Sequence, residues 1–277
     1  LTREEATRLA GEDPNHATTD LYRAIEKGEF PAWRVCVQIM PARDAKNYRW
    51  NILDITKVWP HKDYPLIEIG RMTLNRNPAN YFAEVEQAAF SPGNFVPGIA
   101  ASPDKMLQAR IISYHDAHLH RLGPNYQLLP INAPKACKAD NYQRDGSMRL
   151  DDNGGGPNYW PNSMGGPAPD PAFAEPPIDL EGQAARHPQE LTDDDFFQPG
   201  ELYRRVMTDT DREHLVGNIV AHLGNAQKRI QLRQTALFFK ADPDYGRRVA
   251  KGLGLDAKQV ENLAAMSQED RVKATSA

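Results

Sequence analysis

A stretch rich in proline and glycine in the middle of the chain constrains its fold more than any other feature. Between residues 151 and 180, five glycines and seven prolines occupy 12 of 30 positions, and regular periodicity is already absent from about residue 123. Helices and paired strands do not propagate through such a composition. A disordered linker is one interpretation, but aromatic residues are depleted in disorder, and the region holds Tyr126, Tyr142, Tyr159, Trp160 and Phe173. We therefore favour an extended arm, within residues 78–193, that is ordered by packing on something else.

The residues before the arm predict helix followed by antiparallel sheet. Thr2 and Glu5 match a helix-capping box, and a second helix is expected over residues 18–27. From Trp33 to Ile39 apolar and polar residues alternate, which predicts a half-buried strand. Further strands are expected over 52–58 and 66–74. Because no βαβ unit is present, residues 1–77 predict an antiparallel sheet or part of a barrel.

The arm and the residues after it predict further helices. One is expected over residues 80–89, and Ser102-Pro103-Asp104 predicts another, with Ser102 as cap and a body from Lys105 to about His115. After Phe196, amphipathic segments predict short helices over 199–207, 211–223, 226–239, 243–252 and 256–265. The expected fold class is therefore α+β, with a small helical domain over residues 194–277.

The composition excludes several classes of function. Lysine and arginine number 33 and aspartate and glutamate 37, a net charge of −4, which argues against a nucleic-acid or anionic-membrane binder. No apolar run is long enough for a membrane helix. The two cysteines, Cys36 and Cys137, lack metal-ligand spacing and are expected to be reduced thiols in a cytoplasmic protein, with the periplasm and the peroxisome as alternatives. Residues 1–5 lack both an initiator methionine and the apolar centre of a signal peptide, so we expect a chain that starts mid-protein.

Arg110 and Tyr114 form the first candidate site. They are four residues apart on a predicted helix, so the guanidinium can approach the phenol oxygen. A fixed positive charge favours the phenolate, which is a suitable ligand for ferric iron. A surface or packing pair is the alternative. Nearby histidines suggest a metal site, but His118 and His120 are two residues apart and diverge on a helix.

Several longer segments, in order along the chain, resemble the haem catalases. The segment from Arg110 to Asp116 is similar to the haem-ligand signature of that family, Arg-x-x-x-Tyr-x-Asp, and residues 121–126 are similar to its continuation. Other similar segments are 58–67, 74–87, 141–146 and 157–159. The resemblance covers roughly residues 10–255 and is to catalases of the small-subunit type. It implies the end of an antiparallel β-barrel in residues 1–77, a wrapping arm with the haem-ligand helix in 78–193, and a helical domain in 194–277.

The resemblance also implies a site for haem b. Tyr114 matches the proximal ligand of the iron, Arg110 the residue that keeps it ionised, and Arg121 an arginine that pairs with a haem propionate. Other matches to the proximal side are Phe90, Met106, Ser113 and His118, for which core packing or a structural hydrogen bond is the alternative. The chain departs from the family pattern at Ile111-Ile112, where a leucine and an aromatic residue are usual.

A second cofactor, NADPH, is implied by two groups of positions. Trp59, His61 and Lys62 match family positions that contact it, and Gln198, Leu202 and Val206 match positions near it in the helical domain. Lys62 could meet a phosphate and Trp59 offers a stacking face. The alternative is a tryptophan at a strand end beside surface charges, since no glycine-rich dinucleotide motif is present.

The expected function follows from the resemblance. Catalases decompose hydrogen peroxide to water and dioxygen, and need a distal histidine and asparagine from the half of the family's chain that precedes this region. That motif is not found, and His16 lies in an unrelated segment. We therefore expect a catalase portion that is inactive alone and works within a complete subunit of a homotetramer. The alternatives are a structural or assembly fragment without catalysis, and a catalase-like haem peroxidase that acts on organic hydroperoxides.

Overall fold

A computed structural model of the chain describes residues 2–136, 140–151, 154–175, 177, 183, 185–186 and 191–276. Two compact units are present: a sheet unit, Ala17–Gly182, and a helical unit, which combines Leu1–His16 with Gln183–Ala277. Helices and a small antiparallel sheet confirm the predicted α+β class. Among the described residues, no helix has the length and apolar character needed to cross a bilayer. Cys36 is a half-buried free thiol, and Cys137 lies outside the described residues.

In the part of the chain that the structure describes, two strands form the sheet. Strand β1 (Ala32–Val37) pairs antiparallel with β2 (Ile67–Thr73), with Ala32 opposite Thr73 and a register shift between Val35 and Cys36. Both strands confirm the sequence prediction. The expected burial of one face is wrong for this chain, because the apolar side chains along the sheet stay exposed, namely Trp33, Val35, Ile67, Ile69 and Met72.

The strand predicted over residues 52–58 is wrong, because this segment forms consecutive turns. Asn51 Oδ1 accepts a hydrogen bond from the Leu53 amide at 2.9 Å, and Asp54 Oδ1 accepts one from the Thr56 amide at 2.9 Å. Short polar side chains that bond the backbone two residues ahead stabilise turns at the expense of strands. The local polar bonds therefore outweigh the apolar pattern of this segment.

The first four helices include the one that carries the candidate site. They are α1 (Arg3–Glu12), α2 (His16–Glu26), the single turn α3 (Ala42–Ala45) and α4 (Lys105–Leu122). The capping box of Thr2 and Glu5 is confirmed. The helix expected over 80–89 is a short π-helical segment, Phe82–Glu86, and a 3-10 turn spans Tyr126–Leu128.

Helix α4 differs from its prediction at both ends. Its cap is Asp104, whose Oδ1 accepts from the Leu107 amide at 2.8 Å, and Ser102 lies outside the helix. The helix continues beyond His115 to Leu122, where Gly123 adopts φ 105°. Because residues with a side chain rarely adopt that backbone conformation, Gly123 is a natural end point. The extension places His118 and Arg121 on the helix that carries Arg110.

Among the described residues from 191 to 276, six helices follow the arm, and five of them confirm predictions. They are α5 (Asp194–Glu201), which continues as a π-helical turn (Leu202–Val206), α6 (Asp209–Leu223), α7 (Lys228–Ala241), α8 (Pro243–Gly252), α9 (Ala257–Ala265) and α10 (Gln268–Ala274). Helix α5 begins at Asp194, before the predicted residue 199, and the Asp195 carboxylate in its first turn accepts from the Thr192 amide at 2.8 Å. Helix α10 was not predicted, although Ser267 caps it.

The hydrophobic core lies among α7, α8 and α9. Its buried members are Leu232, Ala236, Phe239, Ala250, Leu255, Val260 and Leu263. The buried Arg271 guanidinium donates to the Leu263 and Met266 carbonyls at 2.9 and 3.0 Å, which ties α10 to the end of α9. The helical unit therefore contains its own packed interior.

Candidate functional site

Helix α4 presents six of the seven residues predicted for the haem site on one face. At 3.6 residues per turn, the positions fall within an arc of about 140°; they are Met106, Arg110, Ser113, Tyr114, His118 and Arg121. The buried Asp104 carboxylate fixes the start of the helix, and Gln108 Nε2 donates to the Ser102 carbonyl at 3.0 Å. His120 is not part of this face. Among the described residues, no three His, Cys, Asp or Glu side chains gather to hold a metal ion.

Arg110 and Tyr114 are in contact, as their spacing predicts. The Arg110 guanidinium donates to the Tyr114 phenol oxygen at 3.2 Å, and its central carbon lies 5.1 Å from the centroid of the phenol ring. Tyr114 is half-buried, whereas Arg110 is exposed. The positive charge therefore lies where it stabilises negative charge on the phenol oxygen.

One turn further along α4, two partners fix the state of His118. Arg121 Nη2 lies 3.2 Å from His118 Nδ1, and His118 Nε2 lies 2.8 Å from the Phe90 carbonyl oxygen. A guanidinium only donates and a carbonyl only accepts. These contacts fit the tautomer with the proton on Nε2, and they link α4 to the Phe90 backbone. The Tyr114 and His118 rings meet edge to face at 6.3 Å.

Arg121 binds backbone as well as His118. Its guanidinium donates to the Glu86 carbonyl at 2.6 Å and to the Ala88 carbonyl at 2.7 Å. With the bond to His118, these contacts use three of the five N–H donors of an arginine. The remaining donors keep a charge-assisted contact to a carboxylate chemically feasible.

The sequence analysis missed Asn132. Its Oδ1 accepts from the Ala89 amide at 2.8 Å, and its Nδ2 donates to the Gln87 and Tyr126 carbonyls at 2.9 and 3.0 Å. The partners at residues 87 and 89 lie 45 and 43 residues away along the chain, and no local motif marks such a pairing. Tyr126 is itself buried, and its hydroxyl lies 2.9 Å from His115 Nδ1.

Two predicted haem contacts are open apolar side chains. Phe90 is 84% exposed and Met106 is 50% exposed. A cavity of about 500 Å³ adjoins Phe90 and is lined mainly by Val85, Ala88, Ala89 and Ile131, with Glu84, Asn94 and Asn132 as polar members. The Tyr114 phenol lies beside the Arg110 cation, and the apolar side chains of Phe90 and Met106 are uncovered. These side chains fit the proximal side of a haem chemically.

The predicted NADPH positions divide between the two units. Trp59 is half-buried in a loop of the sheet unit, where its carbonyl accepts from Gln38 Nε2 at 3.0 Å and its ring packs on Tyr64 at 5.6 Å, while His61 and Lys62 are exposed. In the helical unit, Gln198, Leu202 and Val206 recur every fourth residue along α5 and its π-helical turn. In the same loop of the sheet unit, burial and the neighbouring Asp63 carboxylate raise the pKa of Tyr48.

Known proteins resemble this chain along most of its length. Residues 1–166 match the Catalase family model, and residues 189–253 match the model described as Catalase-related immune-responsive. The chain is 65% identical over 276 residues to a catalase of Methanosarcina barkeri, covering 99% of this chain and 55% of that protein. It is 56% identical over 270 residues to Catalase-A of Dictyostelium discoideum, covering 96% and 54%.

Solved structures agree with the sequence relatives. Catalase A from Saccharomyces cerevisiae superposes with a TM-score of 0.83 at 38% identity, over 91% of this chain and 53% of that one, and a fungal catalase superposes with 0.80 at 40% identity, over 91% and 52%. The chain spans about half the length of the relatives it matches. Because the family model covers more than half of it and the Arg110 and Tyr114 side chains meet as the resemblance requires, the chain belongs to the catalase family.

Proposed function

We propose that this chain supplies the proximal side of a catalase, which decomposes hydrogen peroxide to water and dioxygen within a complete subunit. The observation that carries the proposal is the 3.2 Å bond from Arg110 to the Tyr114 phenol oxygen on the exposed face of α4. Tyr114 holds the iron of haem b as a phenolate, and Arg110 stabilises the charge on that oxygen.

The other residues of the site bind and orient the haem. Phe90 and Met106 would cover the haem on the side of Tyr114 and exclude water, Ser113 and His118 would line it, and Arg121 would contact a propionate through its remaining donors. When bound, haem supplies the iron that exchanges electrons with hydrogen peroxide. The distal groups that move the proton of the peroxide come from the part of the family's chain that precedes this one.

The proposal extends to architecture and partners. Residues 1–77 form the end of a β-barrel, 78–193 a wrapping arm, and 194–277 a helical domain of a cytoplasmic homotetramer. For NADPH, the candidate contacts in the sheet unit are Trp59, His61 and Lys62, and the candidate positions in the helical unit are Gln198, Leu202 and Val206. The exposed cation of Lys62 supports this assignment, because it can meet the charge of a phosphate.

The test uses a fusion in which this chain follows the amino-terminal part of the Methanosarcina barkeri catalase. Tyr114→Phe removes the ligand oxygen, so we expect loss of the tyrosinate-haem absorption spectrum and a fall in oxygen release to the level of free haem. Tyr81→Phe is the matched control, because Tyr81 is an exposed tyrosine of the same unit. Normal haem content and oxygen release in the Tyr114→Phe fusion would contradict the proposal.

A second candidate function is an assembly element without catalysis, which the exposed apolar face of the β1/β2 sheet favours. The same fusion separates the two candidates. A fusion that assembles into a stable oligomer yet binds no haem through Tyr114 would favour the assembly element.

A further inference from the structure

The turn that carries Phe90 is held by side chains in addition to backbone bonds. This turn, residues 86–90, begins at the last residue of the π-helical segment Phe82–Glu86, whose carbonyls at 82 and 85 accept from the amides of residues 87 and 88. Its carbonyls at 86, 87, 88 and 90 and its amide at 89 all bond to three side chains outside it, which are His118, Arg121 and Asn132. We define these three residues and the turn as the clamp.

Asn132 differs from the other two side chains of the clamp in its position and in its partners. His118 and Arg121 both lie on α4, whereas Asn132 lies beyond the helix and also bonds the Tyr126 carbonyl. Tyr126 packs against α4 through its ring contacts with His115 and His118, whose centroids lie 5.9 and 5.5 Å away. The Asn132 carboxamide thus joins the 86–90 turn to Tyr126, which packs against the C-terminal half of α4.

The clamp fixes the backbone of Phe90 although the Phe90 ring is exposed. The Phe90 ring is 84% exposed and lacks the packing that fixes a core side chain. Its backbone is nevertheless fixed on both sides, by Asn132 at the Ala89 amide and by His118 at the Phe90 carbonyl. Side-chain bonds to backbone groups that have no other partner are costly to lose.

We propose that Asn132 is a positioning residue, which holds the 86–90 turn on α4 and thereby sets the place of the Phe90 ring relative to the Tyr114 phenol. Its role in haem binding rests on the proposed function, whereas its role in the haem-free chain does not. The two substitutions at Asn132 remove different hydrogen bonds. Asn132→Ala removes all three bonds, and Asn132→Asp keeps an acceptor for the Ala89 amide while losing both donors.

The experiment uses the 277-residue chain with 4-fluorophenylalanine at position 90. In the haem-free chain, we expect Asn132→Ala to speed hydrogen exchange at the Ala89 amide by about tenfold or more, since that amide loses its partner. Asn132→Asp should change this exchange rate less. In both variants, the fluorine resonance of residue 90 should move towards its position in the unfolded chain. Asn94→Ala is the matched control, because Asn94 lines the same cavity and lies outside the clamp.

Haem titration then separates this inference from the proposed function. In a wild-type chain that binds haem through Tyr114, the Asn132 variants should shift the phenolate-to-iron charge-transfer band, a spectroscopic signature that a loss of stability alone does not move. An unchanged Ala89 exchange rate or an unchanged fluorine resonance overturns the clamp. A changed resonance with an unchanged band overturns its role towards haem. If the wild-type chain shows no Tyr114-dependent band, the proposed function fails for this chain, while the fluorine resonance still decides the clamp.

Discussion

The helical unit buries a cluster of apolar side chains, whereas many apolar side chains of the sheet unit are exposed. In the helical unit, Val249, Val260 and Ala236 are completely buried, and the core joins three helices. In the sheet unit, all seven residues of β2 are exposed, Phe90 is 84% exposed and Leu150 is 95% exposed. The difference teaches that apolar packing holds one unit together, while side-chain bonds to backbone hold much of the other, as in the clamp.

An exposed apolar surface of this extent is typical of an interface rather than of a free surface. The sheet unit contains the residues that the proposed function needs, including Phe90, Met106 and Tyr114. Uncovered apolar side chains at this place therefore suit the binding of a large apolar cofactor and of further polypeptide. Residues of the helical core have no surface to offer for such a role.

The largest expected effect is on the helical core. Phe239→Ala removes a buried ring from the α7–α9 contact and should lower the free energy of unfolding of the helical unit by about 3–5 kcal/mol. Hydrogen exchange of the α8 and α9 amides measures this loss. Tryptophan fluorescence reports the other unit, because residues 33, 50, 59 and 160, the four tryptophans, all belong to it.

Phe90→Ala is the matched change in the sheet unit. Its ring is mostly in solvent, so the free energy of unfolding should change by at most about 0.5 kcal/mol. A loss in Phe90→Ala as large as that in Phe239→Ala would break the comparison between the units.

The next largest effect on stability is expected where α7 and α8 pack closely against each other. A Cβ added at Gly246 would contact the Phe239 ring and lie 2.7 Å from the Phe239 Cα, so α7 and α8 must separate. We expect Gly246→Ala to cost about 1–3 kcal/mol in thermal or chemical unfolding. Gly70→Ala, in β2, is the control, because a Cβ there meets nothing within 4 Å and should leave stability unchanged. Equal losses at both glycines would contradict the described packing.

The site could be predicted from the sequence where its residues share one helix. Arg110 and Tyr114 follow helical spacing within the predicted helix, so their contact was visible before the structure, whereas His118 and Arg121 lie beyond its predicted end near His115 and were marked only by the resemblance. Asn132 was not, because its partners lie more than 40 residues away and no periodicity links them. The error at 52–58 has another cause: bonds from the Asn51 and Asp54 side chains to nearby amides decide the backbone there. Whether β1 and β2 are buried could not be predicted, because an alternating apolar and polar sequence shows which face of a strand is apolar. It does not show whether another part of the protein covers that face.

The stability of the helical unit should depend on pH through the Asp242 carboxylate. Burial raises the pKa of Asp242, but the bonds from Arg204 and from the Tyr245 and Asp244 amides outweigh it and hold the pKa below its usual value. A lowered folded-state pKa contributes stability that is complete above the unfolded pKa of about 3.9 and is lost as pH falls through the folded value. Acid should therefore weaken the helical unit at this carboxylate.

Asp242→Asn tests this contribution. We expect a loss of about 1 kcal/mol at neutral pH, since the residue also caps α8, and a flatter decline of stability between pH 4 and lower values, as acid titrations of unfolding measure. Asp54→Asn is the matched change in the sheet unit, where the hydrogen bonds from Thr56 lower the pKa of a half-buried turn carboxylate. The same acid dependence in wild type and Asp242→Asn would exclude the Asp242 contribution.

The smallest expected effect on stability comes from the exposed sheet face. Ile69 is 62% exposed in β2, so Ile69→Thr should change the free energy of unfolding by at most about 0.5 kcal/mol. It should nevertheless reduce self-association and the binding of a hydrophobic dye, because it removes apolar surface from an open sheet. The matched change Val260→Thr puts a hydroxyl into the buried core and should cost about 1–3 kcal/mol. If Ile69→Thr costs as much as Val260→Thr in the isolated chain, something already covers the β2 face, and the contrast between the two units does not hold.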